Sequence, residues 1–305
     1  MEKENSENII VCKSLREAIS LFFDKDVKIG NRQRVIGGDA NDAYALLLSD
    51  GRRAFLKENA LSNADFFRAE AEGIAAVSAT RTLRVPQIYA YGTDGDRSFL
   101  LMEFIDRARP QSDFWEKLGT GLAMMHKVDT SQFVKGGRYG FDRDNYIGAG
   151  NQKNAPKNNW IEFFAECRLR PQFKLAERYF DRDTIRAADW LMDHLDKYLF
   201  EPESPSLLHG DLWAGNFMAD ENGNPMLIDP AVYVGCNEAD IAMTELFGGF
   251  DSRFYDSYFD VMGLEPGYED RRDLYNLYHL TNHLNLFGSA YLPAVIRTIR
   301  KYEGF

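Results

Sequence analysis

Segments with strand character are confined to residues 27–105, and nearly everything after Asp106 has a helical pattern. In the first stretch Val27-Lys28-Ile29, Arg34-Val35-Ile36 and the runs 43–48 and 53–57 are short and rich in strand-forming residues. Gly37-Gly38-Asp39 and Ser49-Asp50-Gly51 punctuate them as turns. Residues 85–91 and 98–105 add two more strands around Thr93-Asp94-Gly95-Asp96. Between them, 65–79 has apolar side chains at helical spacing, as does 8–23 before the first strand. Strands gathered first and helices afterwards select an α+β fold over alternating βα units. The expectation is an antiparallel sheet of about five strands carrying one helix, entered through an amphipathic helix at 8–23.

Beyond the sheet, helical spacing covers 115–127, 160–179, 183–199, 237–250, 252–262, 268–287 and 292–302. Residues 135–159 are rich in Gly and Asn and predict an irregular surface loop. A chain of 305 residues is long enough for two lobes. They are drawn at 1–104, an expected nucleotide-binding lobe of the N-terminal helix and about five strands, and 105–305, a larger helical lobe expected to hold the catalytic loop and acceptor site, with a short connection near 102–107. The net charge of −11 makes nucleic acid and anionic membrane poor partners. No run of eighteen apolar residues predicts a membrane span. The acidic, polar start lacks a signal-peptide pattern, which predicts a cytoplasmic location. Cys12, Cys167 and Cys236 are far apart in the chain, which fits that compartment and argues against a zinc or disulfide framework.

The densest chemistry lies in 208–230, LHGDLWAGNFMADENGNPMLIDP. Asp211 and Asn216 are five apart, and Asp229 follows thirteen later. The protein-kinase catalytic loop uses the same five-residue step before a metal-binding Asp. Asp211 is the expected catalytic acceptor for the proton of an attacking hydroxyl. Asn216 and Asp229 offer hard oxygen ligands for Mg2+. His209 and Asp240 are expected to brace the loop rather than to react.

Lys57 ends a strand-like run, which suits a lysine that reaches the phosphates of ATP. Its partner should be a carboxylate on the next helix, where Glu70 and Glu72 are two apart and cannot share a face. Glu70 is preferred, because Phe66, Phe67, Ile74 and Val77 place the apolar side near it. Gly37 and Gly38 could cover phosphates with backbone N–H groups, or simply reverse a strand. The backbone of Glu103, Phe104 and Ile105, at the end of the last strand, could meet an adenine edge. Trp213 is a candidate for stacking on the acceptor. His279, Asn282, His283 and Phe287 fall on one face of a predicted helix, and His283 is taken as an acceptor contact. His126 reads as a helix cap or interior histidine, and His194 as a surface residue.

The runs HGDLWAGN, IDPAVYVGCNEADIAMTELFGGF and LYNLYHLTNHLNLFG, with FLK, FFRAEAEGI and NYIGAGNQKN upstream, resemble the fructosamine kinase (ketosamine-3-kinase) family. The resemblance runs from about residue 12 to 300. It implies a bilobal protein-kinase-like fold, shared with aminoglycoside and choline kinases. It also implies ATP-dependent phosphorylation of the sugar 3-hydroxyl of ketosamines, free or protein-bound, which makes the adduct fall apart and frees the amine. Residue by residue it places Asp211 as base, Asn216 and Asp229 as magnesium ligands, Lys57 and Glu70 at the phosphates, and Trp213 in the acceptor pocket. A kinase for an aminoglycoside or amino alcohol, or a catalytically dead nucleotide-binding protein, are the alternatives. The preferred acceptor and the oligomeric state stay open.

Overall fold

The computed structural model describes residues 9–35 and 41–303. Gly37 and Gly38 lie outside them. The chain divides into two compact units, one of residues 1–118 and 217–230, the other of 119–216 and 231–305. The sequence-based division at 104/105 does not anticipate that 217–230 returns to the first unit.

The first unit holds a six-stranded sheet in the order β1-β5-β6-β4-β3-β2. Its strands are β1 Ile10–Cys12, β2 Ile29–Val35, β3 Asp42–Leu48, β4 Arg53–Ala60, β5 Ile88–Asp94 and β6 Arg97–Glu103. All neighbours are antiparallel except β1, which runs parallel to β5. The sheet is therefore mixed, and the expected helix at 8–23 is instead a strand followed by α1, Leu15–Phe22. Ser14 accounts for the break. Its Oγ accepts from Glu17 N–H and starts the helix there, which leaves Ile10-Val11-Cys12 extended against Ala90-Tyr91-Gly92. The two short strand segments expected at 27–29 and 34–36 are joined, within the described residues, in one continuous strand, β2.

Period-two alternation sets the layers of this unit. Leu101, Phe99, Leu56, Leu46 and Leu48 pack with Leu15, Ala18 and Ile19 of α1. Leu100 and Met102 point the other way and pack with Phe67 and Ala71 of α2, Ala64–Thr80. A helix on each face thus covers the sheet. Hairpin strands β10, Phe217–Ala219, and β11, Pro225–Leu227, belong to the same unit.

In the second unit α9, Tyr268–Phe287, is buried along most of its length, and α7, Glu238–Leu246, and α10, Leu292–Lys301, pack on it. Helix α3, Phe114–His126, ends in this unit. Helices α4, Trp160–Phe163, and α5, Arg170–Ala176, are joined by a π-helical turn over Phe164–Leu169, so the expected 160–179 helix is widened in the middle. Helices α6, Arg182–Asp193, and α8, Ser252–Met262, are amphipathic and capped by Asp181 and Asp251. Short strands β9, Ser206–Leu208, and β12, Tyr233–Gly235, pair antiparallel.

The 135–159 segment is not a surface loop. It contains a hairpin of β7, Asn145–Ile147, and β8, Gly150–Gln152, and it buries Tyr139, Asn145, Gln152 and Asn154. Amide side chains make that possible, because Asn and Gln carry donors and acceptors that answer one another away from water. Among the described residues no helix is long and apolar enough to cross a membrane.

Candidate active site

Lys57 sits inside β4, and its largely buried Nζ lies 2.6 Å from Glu70 Oε1 and 2.5 Å from Asp229 Oδ1. Glu70 reaches it because it lies one helical turn from Phe67, on the side of α2 that faces the sheet. Asp229 follows β11 and holds a left-handed backbone, φ +52°, directly before Pro230. Proline disfavours the right-handed helical region for the residue before it, and a left-handed non-glycine stores strain. The ion pair to Lys57 helps hold that conformation. Two carboxylates share one ammonium here. Burial raises the Glu70 carboxyl to about 7 against the pull of Lys57, with Asp229 adding to the rise. Burial works against the Lys57 charge, but Asp229 and then Glu70 outweigh it, so the ammonium is held well above its usual range.

Arg84 fixes the strand that leads to Asp229. Its carbonyl accepts from Leu227 N–H at 2.9 Å, and its guanidinium bonds Asp220, Glu221 and Glu103 at 2.8, 2.8 and 2.6 Å. No motif marks Arg84 in the sequence. Its role depends on acids 19, 136 and 137 positions away. Glu103 also donates its backbone N–H to Gln87 O at 2.8 Å. That N–H is spent within the protein, so the group Glu103 could offer an adenine edge is its carbonyl. The Phe104 ring packs under Arg53.

In the second unit His209-Gly210-Asp211 leaves β9. Asp240, in the first turn of α7, accepts His209 N–H at 2.7 Å and Gly210 N–H at 2.9 Å. Its other neighbour is His126 Nε2 at 3.2 Å, so His126 is an interior histidine that holds Asp240. Burial would raise the Asp240 carboxyl, but the hydrogen bond and charge of His126, His209 and the loop N–H groups overcome it and hold it below the usual carboxylate range. Ala231 N–H bonds His209 O at 2.8 Å. Gly210 has φ +81°, and a Cβ there would lie 2.0 Å from Ala231 O, so the position admits glycine alone. His209 Nδ1 accepts from Asp211 N–H at 3.3 Å, which identifies its ring as a brace.

Asn216 Nδ2 donates to the Asp211 carbonyl at 2.8 Å and to its Oδ2 at 3.2 Å. Both contacts use the amide nitrogen, which leaves Oδ1 as the atom suited to a cation. Trp213 is 41% exposed, and its indole lies across Gly215, where a Cβ would come within 2.3 Å of the ring. It is a surface aromatic beside Asp211. His283 donates through Nδ1 to its own helix, to His279 O at 2.8 Å, so its Nδ1–H is spent on that carbonyl. Phe247, Phe287 and Tyr291 surround its ring. The expected polar face of α9 is divided: His279 and Asn282 are buried, and Phe287 is exposed. His194 stacks on Trp190 at 4.1 Å and is half-buried rather than a surface residue.

The hairpin residues that the sequence leaves in a loop also serve the site. Gln152 Nε2 donates to Ala231 O at 2.9 Å and Asn145 Nδ2 to Val232 O at 2.7 Å, next to the residue that bonds His209. Tyr278 O–H donates to Gln152 Oε1 at 2.8 Å. The alternation of amides in NYIGAGNQKN is the only sequence signal for this support.

The fructosamine kinase family model matches residues 11–303. A probable ketoamine kinase of Synechocystis is 38% identical over 92% of this chain and 92% of its own length. The chloroplastic protein-ribulosamine 3-kinase of Arabidopsis thaliana is 41% identical over 90% of this chain and 82% of its own. The crystal structure of a candidate fructosamine-3-kinase from Haemophilus somnus superposes with a TM-score of 0.85, at 27% identity, over 95% of this chain and 97% of that one. The chain belongs to the fructosamine kinase family. Its fold is kinase-like and α+β. It is an ATP-dependent phosphotransferase that acts on a sugar hydroxyl of ketosamines.

Proposed function

We propose that Asp211 is the catalytic base of this ketosamine kinase, that Lys57 with Glu70 engages the phosphates of ATP, and that Asn216 and Asp229 hold Mg2+. The observation that carries the reading is Lys57, whose buried ammonium lies within 2.6 Å of carboxylates from α2 and from the Ile228-Asp229-Pro230 turn. A cation fixed at that point is poised to trade one carboxylate for a phosphate oxygen.

The acceptor 3-hydroxyl donates a hydrogen bond to the Asp211 carboxylate, which aims its oxygen at the γ-phosphorus. As the new O–P bond forms and the bond to ADP breaks, Asp211 takes the hydroxyl proton. Asn216 holds that carboxylate in place through Oδ2. Trp213 and His283 contact the acceptor. Glu103, Phe104 and Ile105 supply backbone groups to the adenine edge.

The donor set fits magnesium. Among the described residues no cluster of three or more His, Cys, Asp or Glu forms an all-protein cage. Magnesium is commonly held by one or two protein oxygens together with substrate phosphates, and an amide oxygen and a carboxylate are such donors. When bound, it neutralises charge on the β- and γ-phosphates. Ribulosamine is the first acceptor to test, because the 41% identical Arabidopsis relative carries that name. The three cysteines are free and buried, which supports a reducing, cytoplasmic setting.

The test is Asp211→Asn, assayed for ADP release with a ribulosamine and a fructosamine of the same amine. Turnover should fall about 10²–10⁴-fold, the range for loss of a general base, with ATP binding retained. Near-normal transfer by that variant would remove Asp211 from the mechanism. Equal turnover on both acceptors would remove the ribulosamine preference.

A further inference from the structure

A cavity of about 690 Å³ opens in the helical unit between α8, the start of α7, residues 127–138 and residues 200–206. That volume suits a drug-sized small molecule. Asp211, Asn216 and Trp213 are not among its lining residues. Ile241, Phe259 and Met262 give it an apolar wall. Thr130 and Ser206 also line it, and both are more than nine-tenths buried. Neither hydroxyl makes a hydrogen bond among the described residues, so each is left to a cavity occupant. Neither oxygen is among the buried atoms that lack a partner, so both hydroxyls open onto the cavity and are not sealed away from it.

Asp129, Glu203 and Glu265 at the wall are exposed to water, and the buried charge there, Glu238, is answered from within the protein. Glu238 is bound by both Arg271 nitrogens at 2.6 and 2.8 Å, and Lys127 Nζ donates to Val261 O at 2.9 Å. Arg138 donates to Glu203 O at 3.0 Å. An ionic occupant would have to break such pairs, whereas a neutral one with hydroxyl or carbonyl groups would not.

The cavity is wired to the catalytic loop. Asn237, half-buried at its wall, donates through Nδ2 to the Tyr258 oxygen at 3.0 Å. Tyr258 lies 2.7 Å from His126 Nδ1, and His126 Nε2 lies 3.2 Å from the Asp240 carboxylate. A carboxylate can only accept, so Nε2–H donates to Asp240, and the Tyr258 hydroxyl, which accepts from Asn237, has its own proton to offer Nδ1. Asp240 then accepts His209 and Gly210 N–H. Donors thus converge on the Asp240 carboxylate from both sides, from the cavity wall through His126 and from the loop backbone beside Asp211.

We propose that this cavity is a binding site for a neutral small molecule with an apolar body and hydroxyl or carbonyl groups, and that its occupancy reaches the catalytic loop through Asn237, Tyr258, His126 and Asp240. An occupant that claims the Asn237 amide slackens the relay and lowers kcat.

The probe is octyl β-D-glucoside below its micelle-forming concentration, titrated into the full chain by calorimetry. One saturable site is expected. It should be lost in Met262→Trp, and in Leu264→Trp as a second filling variant at the exposed rim. It should weaken at least ten-fold when Thr130→Val and Ser206→Ala are combined. At saturating probe, kcat should fall at least two-fold with KM for ATP unchanged, and Tyr258→Phe should bind the probe as tightly without that fall. Absence of a saturable heat, or binding that survives both filling variants, overturns the site. A kcat response that persists in Tyr258→Phe overturns the relay. Failure of the untreated protein to turn over ketosamines would strike the proposed function instead, and the calorimetric result would still decide the site.

Discussion

The Lys57 cluster and the Asp211 loop are held by different physics. Lys57, Glu70 and Asp229 form a charge cluster in which two acids compete for one ammonium. The Asp211 loop is held by its backbone: Asp240 and Ala231 bond His209 and Gly210, and a glycine fits where a Cβ cannot. A charge cluster can lose a member and reprotonate, so its cost falls on chemistry. A backbone brace cannot, because orphaned buried N–H groups find no substitute, so its cost falls on the fold.

The sharpest way to break that contrast is Asp240→Ala. It strands two buried N–H groups and the His126 ring, at about 1–3 kcal/mol for each unsatisfied group. Denaturant unfolding should show a loss of about 3–5 kcal/mol, together with a fall in kcat. Unchanged unfolding would mean that the loop is held by something other than Asp240. Lys57→Met makes the opposite case. Stability should shift by less than about 1 kcal/mol, because Glu70 already titrates near neutrality and takes up a proton, while kcat/KM for ATP should fall about 10²–10³-fold. A larger loss of stability in Lys57→Met than in Asp240→Ala would reverse the comparison.

A buried acid of the Lys57 cluster and a buried histidine of α9 should answer pH with opposite signs. Glu70 is raised to about 7 from an unperturbed 4.5, chiefly by burial. Between those values the folded state binds more protons than the unfolded, so the Glu70 contribution to stability falls as pH rises from 4.5 to 7. His279 is lowered to about 3 from 6.5, also by burial. Between those values the unfolded state binds more protons, so stability is lost as pH falls from 6.5 towards 3. Glu70→Gln should therefore gain on the parent protein as pH rises from 5 to 7.5, and His279→Gln should gain as pH falls over the same range. Thermal unfolding at pH 5, 6 and 7.5 reads both slopes, and slopes of one sign in both variants would refute the assignment.

The sequence shows most clearly what depends on local pattern. Strand and helix periodicity place β3–β6, α2 and α7–α10 within a few residues, and the five-residue step from Asp211 to Asn216 is visible because a loop backbone fixes it. Glu70 could be chosen over Glu72 by its helix face alone. What is hidden depends on distant partners. Ile10–Cys12 reads as helix until β5 is present to pair with it. Arg84 looks like any surface arginine until Glu103, Asp220 and Glu221 converge on it. Asn145 and Gln152 look like loop residues until the Val232 and Ala231 carbonyls appear beside them. Glycine and amide content signals irregular backbone, and it does not say whether that backbone is buried.

Trp213 offers the smallest and most specific test, because only its backbone, bonded to Asp211 and Asn216, takes part in bracing the loop, and substitution leaves that backbone in place. Its indole is 41% exposed and lies across Gly215, so Trp213→Ala should change stability by less than about 0.5 kcal/mol. If the ring stacks on the acceptor, its loss should cost about 0.5–1.5 kcal/mol of binding, a rise of about 2–10-fold in KM for the ketosamine, with kcat and KM for ATP little changed. Trp213→Phe should recover most of that rise, since a smaller ring still offers a flat face. A fall in kcat with KM unchanged would instead assign Trp213 to the geometry of Asp211, and would move it from the acceptor to the brace.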